Sequence, residues 1–216
     1  KDMSPFKSQH SPHIPWSQKK KIEHRIKEAV DLIHASSYAQ ALEIVDTELA
    51  RDPLYADLHF WRGKALLAMG RVKEAADAFV RAKDLDVCPI RAISAIETAL
   101  GSVTAKRGVP LVRFKEALET KTKDGSGIPG DDCFVDQVHP KIEFHFLIGE
   151  LILDQLIKNN VIQVRRTLSP EERKQVFQER MAALGSTYFE RLGDVNLSLA
   201  YNFNWFGKYR ESLMFL

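Results

Sequence analysis

Cysteine is scarce in this chain. Cys88 and Cys133 are the two present, too few for a disulfide scaffold and too far apart for a zinc knuckle. Charge of one sign is lacking as well: 31 basic and 29 acidic residues are well mixed and leave a formal net charge of +2, which provides no field to draw nucleic acid. The local run Lys19-Lys20-Lys21 opens a helical pattern and reads as its solvated first turn rather than as a binding patch. Long hydrophobic runs are also missing. The most apolar stretch, 142–157, is broken by Glu143, His145, Glu150 and Asp154, so no membrane span is expected, and there is no secretory signal. What remains is a soluble globular chain of 216 residues, 44% apolar and 28% charged, able to bury one good core or two modest ones. Its compartment stays open, with the cytoplasm favoured. The chain starts at Lys1 without an initiator Met and stops at Leu216 within a helical pattern, so a piece of a longer polypeptide is expected.

Residues 1–16 hold Pro5, Pro12 and Pro15 with little periodicity and read as an irregular connection entering from upstream. From Ser17 the spacing becomes helical. Ile22, Ile26, Ala29, Val30 and Ile33 mark one face; after Ser36-Ser37, a second face follows with Tyr38, Ala41, Leu42, Val45 and Leu49, stopped at Asp52-Pro53. This is a helical hairpin, and it repeats: Ala41 and Ala75, like Ser36 and Gly70, stand 34 residues apart. Gly63, Gly70, Ala75, Phe79 and Ala82 fall where small residues let two helices approach and an aromatic fills the groove between them. In this respect residues 17–88 resemble tetratricopeptide repeats. Pro89 arrives two residues late for the pattern, which ends the array there.

Residues 89–160 read differently. Ile93, Ile96, Leu100 and Val103 form a helical stripe that stops at Gly108, a natural C-cap, and Val109 to Phe114 is an apolar run suited to a buried strand. A loop punctuated by Gly125, Gly127, Pro129 and Gly130 follows. Then comes a helix with Ile148, Leu151, Ile152 and Leu156 inward and Glu150, Asp154 and Lys158 outward, suited to covering a sheet. Beyond a linker, Ser169-Pro170-Glu171-Glu172 starts another helix, with Ser as its cap and Pro first. Leu199, Ala200, Phe203, Gly207 and Tyr209 resemble a further repeat hairpin cut short at Leu216. Tyr188, Phe189, Tyr201, Phe203, Trp205 and Phe206 are spaced for hairpin packing rather than for stacking on a ligand.

The chemistry concentrates in Phe134-Val135-Asp136-Gln137-Val138-His139-Pro140. An Asp three residues ahead of a His, on a loop between two elements, can orient the imidazole and stabilise its protonated form while the imidazole takes a proton from a nucleophile. The bland alternative has Asp136 capping the next helix and His139 at the surface. The stretch from Asp131 to Glu150 resembles the last motif block of the SGNH (GDSL-type) hydrolases, although Phe144 stands where that family usually has Gly. Gly108 to Phe114 looks like the family's last strand, and Lys1-Asp-Met-Ser-Pro-Phe like the segment after its Asn-bearing block.

The resemblance covers about residues 1–159. It implies an α/β fold, a partial flavodoxin-like three-layer body, with the helical repeats inserted. It further implies a serine hydrolase acting on an ester or acylated substrate, with His139 as general base and Asp136 as its orienting carboxylate; separately, no cofactor or metal is expected. The nucleophilic Ser and the Gly and Asn of the oxyanion hole would then precede Lys1. No substitute is evident: Gly193-Asp194-Val195 has Val at the nucleophile position, Ser126 sits in a Gly-Ser-Gly turn, and Ser102 and Ser186 follow glycines on helices without a strand-turn-helix elbow. His10 and His13 are spaced like metal ligands but have no acidic or cysteine companion close in sequence. The competing expectation is a tetratricopeptide module that binds a protein partner and has no activity.

Overall fold

The structure, a computed structural model of the chain, describes residues 1–184 and Ala200. The helices run α1 Trp16–His34, α2 Tyr38–Arg51, α3 Ala56–Ala68, α4 Val72–Asp84, α5 Ser94–Arg107, α6 Phe114–Glu119 and α7 Ile142–Lys158, and a further helical stretch starts at residue 170. The chain divides into two compact units. One comprises residues 1–108 and 115–139, the other 109–114 and 140–216.

In the first unit α1 packs on α2, α2 on α3 and α3 on α4. Ile22, Ile26, Ala29 and Val30 of α1 close over Ala41, Ile44 and Val45 of α2 and Leu58 of α3, and a second cluster joins Leu42, Ala65, Leu66, Ala75 and Ala78. The period of 34 residues is physical. Ser36 and Gly70 both take positive φ, 59° and 75°. At each, the same pair of bonds closes the helix end: Ser36 and Ser37 N–H donate to Ile33 and Leu32 carbonyls (3.0 and 2.8 Å), and Gly70 and Arg71 N–H to Leu67 and Leu66 carbonyls (3.0 and 2.9 Å). These are Schellman ends, in which the left-handed residue turns the chain so that the last carbonyls find donors.

Gly63 does what its spacing predicts, and Ala75 and Ala82 are buried, whereas Gly70 has open space around it and serves as a helix end. A Cβ added at Gly63 on α3 would stand 2.8 Å from the Phe79 ring on α4. Gly63→Ala gains about 1 kcal/mol of helix propensity but overpacks this contact at a cost of about 1–3 kcal/mol. A net loss of about 1 kcal/mol is expected in denaturant unfolding, and in a Phe79→Leu background the same substitution should become stabilising. A loss of the same size in both backgrounds would place the strain elsewhere.

Residues 1–14 have no helix or strand, yet their course is fixed. They lie along the array, where two buried carboxylates capture their backbone. Asp52, fully buried at the end of α2, accepts hydrogen bonds from the Ser11 N–H (2.8 Å) and the Ser11 hydroxyl, and pairs with His10 Nδ1 at 2.6 Å. Asp86, placed 34 residues further on, accepts from the Phe6, Lys7 and Cys88 N–H groups at 2.8, 3.1 and 3.0 Å. Between them Ser8 Oγ accepts the Asp57 N–H at 2.8 Å. His10 also stacks on Tyr55, ring centroids 4.2 Å apart.

The expected α/β three-layer body is absent: the described residues are helical and contain no sheet. Val109 to Phe114 is not a strand. Residues 109–113 have no regular structure, α6 begins at Phe114, and Val109 is 55% exposed. A strand exists only where a neighbour satisfies its N–H and C=O groups, no such neighbour stands beside this run among the described residues, and Pro110 has no N–H to offer one. The stripe on α5 is likewise uncovered, with Ile96, Leu100 and Val103 56, 52 and 57% exposed and no buried residue on the helix. The helix does stop at Gly108, φ 63°.

In the second unit α7 covers no sheet; Phe144 is its buried residue and Ile152 is exposed. The stretch from residue 170 opens on a capping box, with Glu172 N–H donating to Ser169 Oγ (3.2 Å) and Ser169 N–H to Glu172 Oε2 (2.8 Å). Phe203, Gly207 and Tyr209, and the aromatic positions Tyr188, Phe189, Tyr201, Trp205 and Phe206, lie outside the described residues, as do Ser186 and Gly193-Asp194-Val195.

Candidate functional site

Asp136 and His139 are brought together by a turn of the loop itself. Asp136 Oδ1 accepts the N–H groups of Val138 and His139 at 2.8 and 2.7 Å, an Asx turn that bends the chain back on the carboxylate. Val135 N–H donates to the His139 carbonyl at 2.9 Å and closes the bend. The second oxygen, Oδ2, lies 2.6 Å from His139 Nδ1. One carboxylate therefore fixes both the backbone and the ring of His139. The Asp136 side chain is 8% exposed, whereas that of His139 is 71% exposed. A sheltered anion thus orients an imidazole that stands in solvent. With Nδ1 engaged, Nε2 is the ring nitrogen left to take a proton from a reacting group. Asp136 does not cap α7, whose N-cap is Lys141 without a side-chain bond.

Gln137, between the two, is 7% exposed, and its amide oxygen and nitrogen are buried without a hydrogen-bond partner. Cys133 just upstream is fully buried, and burial pushes its thiol above the ordinary range. Phe144, the residue that departs from the SGNH pattern, is buried on α7.

No serine joins the pair among the described residues; the hydrogen bonds of the His139 ring run to Asp136 alone. Ser126 Oγ donates to Asp124 Oδ1 (2.7 Å) and accepts the Ile128 N–H (3.1 Å), with Gly125 and Gly127 at φ 67° and 69°, so it builds a turn. Ser102 Oγ donates to the Thr98 carbonyl on α5. His10 and His13 go to different partners, Asp52 and the Arg51 carbonyl, and no group of His, Cys, Asp and Glu suited to a metal is present among the described residues. His145 bonds its own helix at the Lys141 carbonyl. Among the described residues no helix is long and apolar enough to cross a membrane.

The second unit holds an open cavity of about 360 Å³ lined by Phe146, Leu153, Ile157, Val164, Leu168 and Val176. The two arginines at its edge are already committed, Arg166 to Glu172 and Arg173 to Glu150 and Asp154. That leaves an apolar lining without a free charge to fix a polar ligand.

Sequence reading missed the capture of residues 6–11 by Asp52 and Asp86. The repeat marks the two acceptors, since each Asp closely follows the end of an array helix at the same phase of the 34-residue period, but it does not mark the segment they hold. Comparison of the chain with protein-family models, with curated proteins and with solved structures finds no match.

Proposed function

We propose that Asp136 and His139 are two members of a serine hydrolase triad, as the SGNH-like motif around them implies, and that the nucleophilic serine comes from polypeptide preceding Lys1. His139 Nε2 takes the serine proton as the hydroxyl attacks an ester or acyl carbonyl, and returns it to the leaving group; Asp136 holds the Nδ1–H tautomer and stabilises the imidazolium. Water then deacylates the serine with the same base. The observation that carries this reading is the contact of 2.6 Å between a nearly buried carboxylate and a largely exposed imidazole. The three-layer fold that the resemblance implied is not part of this reading, since the described residues contain no sheet; what is kept is the chemistry of the pair.

Hydrolysis of a simple activated ester such as p-nitrophenyl acetate tests it. The protein extended upstream of Lys1 should turn the ester over, and the chain of residues 1–216 should do so no faster than imidazole in solution. Equal rates from the two would overturn the assignment of the nucleophile. A second reading, a helical module that docks a protein partner and has no activity, draws on the exposed stripe Ile96, Leu100 and Val103 of α5. It predicts no ester turnover by either chain.

A further inference from the structure

The loop that leads into Asp136 is gripped from outside by the first two residues. Asp2 Oδ2 accepts the Asp131 N–H at 3.1 Å while Oδ1 pairs with Lys64 Nζ on α3, also at 3.1 Å. Lys1 reaches the same loop, its Nζ 2.6 Å from Asp124 Oδ2 and its backbone nitrogen 2.8 Å from the Pro129 carbonyl. Gly130 is the residue that permits the approach, since a Cβ there would fall 2.1 Å from Asp2 Oδ2. Burial pushes the Asp2 carboxyl up, but the Asp131 N–H and the Lys64 ammonium outweigh it and hold it below the usual carboxylate range.

Two adjacent hydrogen-bonded turns lead from this grip to the pair. The Gly130 carbonyl accepts the Cys133 and Phe134 N–H groups at 2.8 and 2.9 Å, and the next residue, Val135, donates to the His139 carbonyl. In the other direction residues 6–11 are anchored on Asp86, Asp57 and Asp52. Asp2 is therefore where a strap fixed to the helical array meets the loop that carries the imidazole.

We propose that Asp2 is a positioning residue: it ties the helical array, through Lys64 and the strap of residues 2–11, to the loop 124–134 and so holds Asp136 and His139 in their paired geometry. The array then acts as a rigid post for the site. The catalytic consequence rests on the reading of Asp136 and His139 as a triad pair; the positioning itself does not. The physical warrant is that Asp2 joins Lys64 to the Asp131 N–H, and that only the four residues 131–134, folded into a hydrogen-bonded turn, separate Gly130 from the bend that holds the pair.

Amide hydrogen exchange and the downfield Nδ1–H signal of His139, followed by NMR in the chain of residues 1–216, measure that coupling. Asp2→Ala should speed exchange at Val138 and His139 by about tenfold and broaden the His139 ring signal, with the α1–α4 amides unchanged. Asp2→Asn keeps an acceptor for the Asp131 N–H and should restore most of the protection, and Lys64→Met should fall between. Should Asp2→Ala fail to fold, Gly130→Ala displaces the same carboxylate and carries the same expectation.

Unchanged exchange at Val138 and His139, or faster exchange at every amide together without rescue by Asp2→Asn, would overturn the proposal. In the catalytically active protein Asp2→Ala should lower kcat about tenfold at unchanged KM. An unchanged kcat would overturn the catalytic consequence. If exchange responds to Asp2 while His139→Ala leaves ester turnover intact, the positioning stands and the triad reading fails.

Discussion

Replacing His139 by alanine should lower kcat for ester hydrolysis by about 10⁴-fold or more, with little change in KM. A serine hydroxyl is a poor nucleophile until a base takes its proton, and members of a triad act as a unit, so loss of the base removes nearly the whole covalent route. The ring of His139 is 71% exposed and its only hydrogen bond among the described residues goes to Asp136. Its removal should therefore cost little stability, and an unchanged melting temperature should accompany the lost rate.

Asp136→Asn sharpens the point. Asn can still accept the Val138 and His139 N–H groups and keep the turn, but it sets an amide or a neutral acceptor where a carboxylate held the ring. A folded protein with about a 10⁴-fold lower kcat is expected. If Asp136 serves only to shape the turn, Asn should be silent.

The largest effect on stability is expected at Asp52. Asp52→Ala strips the acceptor from the Ser11 N–H, the Ser11 hydroxyl and His10, in a place where Ser11 is 1% and Asp52 0% exposed. Each buried polar group left without a partner costs about 1–3 kcal/mol. A loss of about 3–5 kcal/mol is expected in urea unfolding, a large part of the stability of an ordinary domain. Asp52→Asn keeps an acceptor and should lose less.

The same carboxylates set the acid limb of stability. Burial pushes the Asp52 carboxyl up, but hydrogen bonds from Ser11 and His10 outweigh this and hold it below its ordinary value; Asp132, held by the Lys123 and Gly130 N–H groups, is likewise lowered. Groups with depressed folded values contribute stability that is fully present above the unfolded value, about pH 4, and is lost as pH falls through the folded values. Urea midpoints should therefore fall steeply below about pH 4, and less steeply in Asp52→Asn.

What could be read from the sequence was local. The helix break at Ser36-Ser37, the C-cap at Gly108 and the Ser169 cap ahead of Pro170 each depend on a few adjacent residues, so residue type and spacing announce them. The Asp136–His139 contact is of this kind, because an Asx turn brings together residues three apart. What could not be read was non-local. An apolar run such as Val109 to Phe114 is compatible with a strand, but whether a neighbour pairs with it lies elsewhere in the chain. The stripe on α5 announces an apolar face without naming what covers it. The anchoring of Ser11 on Asp52 and of Phe6 on Asp86 joins residues 41 and 80 apart, and nothing in either partner's immediate sequence points to the other.

The central claim is that His139 serves as the base for a serine. Labelling with a serine-directed fluorophosphonate, in the protein extended upstream of Lys1, measures this most directly. The account predicts stoichiometric modification of one serine in the unaltered protein, which falls to background in both His139→Ala and Asp136→Asn. Labelling that persists at the same rate in His139→Ala, or that is absent from the unaltered protein, would contradict it.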